Sequence, residues 1–284
     1  MNPPLHIDFP RGVTAVHQIE ITSRCNLACV YCLSPQIMKA TAAYAHQAEA
    51  WTNLSGLAGH LIGTPPEPPP RPAMDMSRAV YVRALEWVTS YVKAGTQVEL
   101  NLAGIGESTL HPAFIDYLRL AREAVGEYTR IIFATNGLIA SDDFVRAMVP
   151  YRPEVWVSLH RPEKAARALD TYKKYHLARG VSTDPATFPN DWAGQIDWPV
   201  AQVARTIPCQ WLREGKVFVL ADGRISTCCL DARASGIRGH VNDPIGSTRT
   251  QPYALCATCY QEIGATGYTQ YPRTSPPTAL PVIP

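Results

Sequence analysis

Residues 24–33 read Arg-Cys-Asn-Leu-Ala-Cys-Val-Tyr-Cys-Leu, which sets Cys25, Cys29 and Cys32 in a C-x3-C-x2-C spacing directly after a strand-like run. Three thiols this close in sequence can serve one object. A structural zinc normally takes four protein ligands, and no fourth Cys or His follows within the next dozen residues. Three thiolates suit an iron–sulfur cubane, because a [4Fe-4S] cluster held by three Cys leaves one iron open to a small molecule. A zinc loop, or three unrelated buried thiols, is the alternative.

The remaining cysteines, Cys209, Cys228, Cys229, Cys256 and Cys259, form a second group far down the chain. No basic stretch followed by an apolar one opens the chain, and no run of apolar residues is long enough to span a membrane. The expected compartment is therefore the cytoplasm, where thiols stay reduced, so eight cysteines argue for metal over disulfides. Hydrophobic residues at 46% and charged ones at 18% describe a globular protein, and 25 prolines imply long irregular segments. A net charge of +2 gives no global electrostatic case for nucleic acid or membrane.

The elements that must position these groups alternate. Residues 16–22 alternate apolar and polar side chains over a strand length, so the first cysteine loop sits at the carboxyl end of the first strand. Residues 36–63 are Ala-rich and suit a helix, which the proline run of 64–72 must break. That run reads as a solvated spacer in preference to a lid. Ser77 is a candidate cap for an amphipathic helix ending near Gly95. Strands follow at 98–102, 130–135 and 155–159, with helices at 112–125, 141–149 and 162–178. This alternation predicts right-handed βαβ units and a parallel sheet. One or two further strands before residue 207 would make an open, partial barrel, too few for eight. Lys216 to Leu220 and Ile225 to Cys228 flank an Asp-Gly turn and predict a hairpin. The expected division is 1–207 for the barrel, with an insertion at about 36–76, then 208–268 for a small Cys-rich unit and 269–284 for a disordered tail.

At the strand ends, Ala103-Gly104-Ile105-Gly106-Glu107 offers backbone that a ligand can approach closely, beside a carboxylate able to accept from a cationic amino group. Together with C-x3-C-x2-C and Tyr31 before the third Cys, it resembles the radical S-adenosylmethionine (SAM) enzymes. Gly106 and Glu107 match that family's Gly-Gly-Glu motif, with Ile105 where the first Gly usually stands. Thr135-Asn136-Gly137 and Ser158 are similar to the family's third and fourth strand ends. The resemblance implies that Cys25, Cys29 and Cys32 hold a SAM-binding [4Fe-4S] cluster and are catalytic, and that Gly106, Glu107, Asn136 and Ser158 cradle SAM. Asn136 reads equally as a turn residue before Gly. His160 and Arg161 stand one step further out, where substrate would sit, or simply begin the next helix.

Cys209, thirteen residues, Gly223, four residues and Cys228, then Cys256 and Cys259, resemble the opening of a SPASM domain. The cysteines of a second auxiliary cluster are missing after Cys259, which points to the shorter twitch form with one auxiliary [4Fe-4S] cluster on Cys209, Cys228, Cys256 and Cys259. A zinc ribbon is the alternative, and Cys229 is either a substitute ligand or a small buried hydrophobe. The implied activity is reductive cleavage of SAM to a 5′-deoxyadenosyl radical and hydrogen abstraction from a substrate C–H, with net oxidation or C–X bond formation. An isomerase or modifier of an amino-acid-like, nucleotide or nucleic-acid-linked group, and a non-catalytic metal-binding module, are the rivals. The resemblance also implies a one-electron donor such as flavodoxin or ferredoxin, and a small-molecule, nucleotide-linked or peptide substrate. Only fifteen residues precede Val16, which lowers the expectation of a leader-guided peptide.

Overall fold

A computed structural model describes residues 10–29, 32–58, 64–181, 192, 195, 209–257 and 259. The described elements are β1 (Arg11–Gly12), β2 (Ala15–Ile19), α1 (Ser34–Ala58), α2 (Arg78–Lys93), β3 (Glu99–Asn101), α3 (Phe114–Val125), β4 (Arg130–Thr135), α4 (Asp142–Met148), β5 (Glu154–Val157), α5 (Pro162–Lys174), β6 (Ala178–Val181), α6 (Gln210–Glu214), β7 (Lys216–Val219), β8 (Arg224–Ser226), β9 (Ile237–His240) and β10 (Arg249–Thr250). β1 and β10 form a small antiparallel pair of their own. The other strands build one sheet in the order β6-β5-β4-β3-β2-β7-β8-β9, parallel from β6 to β7 and antiparallel from there on.

The parallel strands arise as the alternation predicts, and the helices between them cover one face of the sheet. In β4, Ile131 and Phe133 turn to that face, where Phe133 meets the rings of Phe114 and Tyr172 edge-on at 5.0 and 6.5 Å. In α2, Leu85, Val88 and Tyr91 are buried as the helical period requires, and the Ser77 hydroxyl accepts from Val80 N to cap its start. Ser141 does the same for α4 through Phe144 N.

The structure departs from the expectation in four places. The expected helix 162–178 stops at Lys174. His176 there takes a left-handed φ of +57°, while His176 N and Leu177 N donate back to Lys173 O and Tyr172 O in a Schellman closure. The chain then enters β6, one of the further parallel strands expected before residue 207. No glycine marks that stop, which is why the sequence pattern ran past it. The first strand is shorter than 16–22 and ends at Ile19, after which Glu20 N still donates to Val219 O at 2.8 Å while its carboxylate turns inward. The hairpin does not stand apart: β7 lies parallel beside β2 and carries the sheet on into β8. Last, the proline run is solvated only as far as Pro70, for Arg71 is 7% exposed and tied to the sheet. The expected tail, 269–284, lies outside the described residues. Among the described residues no helix is long and apolar enough to cross a membrane.

Candidate active site

A cavity of about 200 Å³ opens at the carboxyl ends of β2 to β5. Cys25, Cys29 and Cys32 line it together with Gly106, Glu107, Asn136 and Ser158, so all seven residues expected for the first site meet around one space. His160 and Trp192 complete a further wall.

Two loops make this rim by packing backbone against backbone. Glu107 N donates to Arg24 O at 2.7 Å, and a Cβ on Gly106 would overlap the carbonyls of Thr22 and Arg24. Gly104 meets a side chain in the same way, with Glu20 lying where its Cβ would stand. These two glycines are therefore required by close approach. Ile105, the departure from Gly-Gly-Glu, is buried against Leu33, Ile37 and Ala232, so its side chain anchors the loop that the glycines thin.

Glu107 is buried, with four protein donors on its carboxylate. Its Oε1 accepts from Thr109 Oγ1 at 2.6 Å, Thr135 Oγ1 at 2.8 Å and Thr109 N at 3.3 Å, while Oε2 accepts from Asn136 N at 2.7 Å. Burial still pushes its carboxyl above the ordinary carboxylate range, against the pull of those bonds. Asn136 is the turn residue expected of it and lies at the cavity edge. Its Oδ1 accepts from Leu138 N in a turn, its Nδ2 donates to Asn26 Oδ1 at 2.8 Å in the cysteine loop, and it borders the cavity. In sequence Thr135 stands out only as part of Thr135-Asn136-Gly137; the structure adds that its hydroxyl ties the β4 end to Glu107.

Two of the three thiols, Cys25 and Cys32, are shifted away from ionisation. Burial raises Cys25 to about 11 and Cys32 to about 12, although Leu27 N and Ser34 N each point at a sulfur from 3.4 Å. His160 is shifted the other way, with burial lowering its imidazole below the ordinary histidine value and leaving it uncharged.

The second cysteine group meets elsewhere. Cys209, Cys228, Cys256 and Cys259 border a space of about 10 Å³ together with Tyr253 and Leu255. Cys229 does not border it; it packs beside Leu230 and Cys259 and interacts with the Cys228 thiol, whose pKa it raises. Among the described residues no three His, Cys, Asp or Glu side chains are gathered closely enough to hold a single metal ion. Trp192 touches both neighbourhoods, packing against the cluster of Leu33, Ile37, Ile105 and Ala232 on one side and against Leu230 and Cys259 on the other. Gln195 pins it there, donating to Trp192 O and, at 2.7 Å, to Leu230 O. In sequence Trp192 sits in an irregular stretch with no periodic signal.

Among solved structures, BtrN in complex with AdoMet and 2-DOIA matches this chain with a TM-score of 0.57 at 15% identity, over 81% of this chain and 79% of that one. The fold is that of the radical SAM enzymes. Native anSMEcpe with bound AdoMet, a second of them, matches with a TM-score of 0.50 at 13% identity, over 81% of this chain and 79% of its own. No protein-family model and no curated protein matches the chain. At identity this low the likeness is one of fold. The cavity stands at the strand ends of that fold, where α/β barrels build their sites.

Proposed function

We propose that the protein is a radical SAM enzyme that abstracts a hydrogen atom from a substrate C–H and completes a net oxidation or C–X bond formation through an auxiliary [4Fe-4S] cluster. The observation that carries it is the meeting of three thiols, the Gly106–Glu107 loop, Asn136 and Ser158 around one cavity at the strand ends of a radical SAM fold. Donor chemistry fits the cofactor, since three thiols leave one iron of a [4Fe-4S] cluster open. When bound, that cluster supplies the electron that splits SAM and releases a 5′-deoxyadenosyl radical.

The chain's own residues do the rest. Glu107 Oε2, with Asn136 N as its one protein donor, accepts from the SAM ammonium, and Gly106 holds the backbone close. The Ser158 hydroxyl meets the ribose. Leu27, Ile105 and Trp192 keep water and stray hydrogen donors from the radical's path. His160, uncharged, faces the substrate side.

At the second site Cys209, Cys228, Cys256 and Cys259 would hold a cluster with no iron left open, which would supply an electron outlet and not a substrate ligand. The space between those thiols is about 10 Å³, room for one water-sized body. A cluster held by these four thiols would need more room than this space gives. Iron and sulfide analysis with EPR on anaerobically reconstituted protein tests both sites: two clusters give about eight irons per chain, with 5′-deoxyadenosine released only when SAM is present. About half that iron, with tightly bound zinc, would refute the auxiliary cluster and leave the first site standing. A product isomeric with its substrate would refute net oxidation.

A further inference from the structure

Arg71 and Glu20 form a buried ion pair, with side chains 7% and 1% exposed. Glu20 follows β2 and lies beneath the first site, where its Oε2 also accepts from Ile105 N at 2.8 Å and its Oε1 from Ala221 N at 3.4 Å. The other arm of the Arg71 fork, Nη1, donates to Asp231 O at 2.7 Å. Asp231 in turn organises the second cysteine loop. Its carboxylate accepts from Ser226 Oγ, Ser235 N, Ser235 Oγ and Gly236 N at 2.7–2.9 Å, and its own N–H donates to Cys228 O. One guanidinium thus joins the loop that borders the first cavity to the loop that carries Cys228.

The chain around Arg71 is built to hold it out at that reach. Pro70 and Pro72 flank it, and proline both fixes its own φ and drives the residue before it into extended backbone. The carbonyls on either side are taken as well, Pro70 O by Arg224 Nη2 at 2.6 Å and Pro72 O by Ser23 Oγ at 3.1 Å. A buried ion pair is weak evidence for stability in itself, since desolvation offsets the attraction. What a planar fork provides is two acceptors held at a set separation, which a lysine ammonium does not provide.

We propose that Arg71 is a positioning residue that sets the spacing between the two cysteine loops, and through it the distance between the two metal centres. This second clause rests on the two-centre function proposed above; the first does not. The test uses the whole chain with Arg71→Lys, which keeps the charge but not the fork. The double variant Glu20→Gln/Arg71→Met stands in should the lysine protein misfold, because it leaves no buried charge unpaired. Hydrogen exchange is followed at residues 104–107 and 228–236, against a Val88→Ala control that loosens the core generally. Both segments are expected to exchange faster together, about tenfold or more, the loss expected when a charged hydrogen bond goes. Pulsed EPR on the reduced holoprotein is expected to show a widened distribution of cluster-to-cluster distances. Faster exchange in one segment alone, or a pattern no different from Val88→Ala, would overturn the strut. An unchanged distance distribution would overturn its effect on the centres. A wild-type chain with one cluster would refute the two-centre function, and the paired exchange would then decide the strut by itself.

Discussion

Replacing Glu107 by Gln separates a ligand-binding carboxylate from one that only ties loops together. Three of its four protein donors converge on Oε1 and one, Asn136 N, meets Oε2 at 2.7 Å. A Gln carbonyl can replace Oε1, but its amide then confronts the Asn136 N–H, donor against donor. Leaving one buried donor unsatisfied costs about 1–3 kcal/mol, and each kcal/mol lowers Tm by about 2–4 °C in a chain of roughly this size. The second consequence is on pH. Burial holds the Glu107 carboxyl above its ordinary value, so in the window between the two values the folded protein keeps a proton that the unfolded chain has lost. Stability of the cofactor-free protein therefore falls as pH rises through that window, and Glu107→Gln removes this slope. The third is on SAM. An ammonium favours the ionised carboxylate, and losing one charged hydrogen bond costs about 1.5–3 kcal/mol, or roughly 10- to 150-fold in Kd. Titration calorimetry of SAM into reconstituted wild-type and variant protein measures it. An unchanged Kd beside a lowered Tm would show that Glu107 ties Thr109, Thr135 and Asn136 together and does not bind SAM.

Further outcomes follow from the same geometry. Gly106→Ala drives a Cβ into the carbonyls of Thr22 and Arg24, so Tm is expected to fall by the equivalent of about 1–3 kcal/mol of overpacking, and SAM affinity to fall with it; thermal melts and binding check both. With Cys25 and Cys32 raised to about 11 and 12, both thiols are protonated at neutral pH. Iron loading is therefore expected to release protons and to strengthen as pH rises toward those values, measured by proton release in weak buffer; loading independent of pH would contradict it. Replacing Cys25, Cys29 and Cys32 together by Ala is expected to abolish 5′-deoxyadenosine release while the second site keeps its metal, read by metal analysis. Trp192→Ala opens the wall between the two cysteine neighbourhoods and is expected to raise the share of 5′-deoxyadenosine formed without product, read as the ratio of the two.

Much of the site was legible along the chain because its chemistry is local. Cys25, Cys29 and Cys32 lie within one turn-length of one another, and Gly106 with Glu107 are neighbours. Each such group also falls where a strand-like run ends, so the alternation of strand and helix is enough to bring the groups to one end of a parallel sheet. The hairpin was equally readable from Asp222-Gly223. The stop of α5 was not, because His176 takes a conformation usually marked by glycine. Nor was the continuity of β2 with β7, since a parallel pairing between strands nearly two hundred residues apart leaves no periodic trace.

The sequence by itself therefore determined the types of side chain at the candidate site, their spacing and the strand ends that carry them. Only the tertiary structure decided what holds those ends together. Glu20 looks like one more polar residue in an alternating run, Arg71 like a charge in a solvated proline stretch, and Asp231 like a turn. Their partners are 51 and 160 residues from Arg71 along the chain. Pairings over that distance depend on which loops the folded sheet brings face to face, and a buried charge signals nothing until its counter-charge and its neighbours are in place.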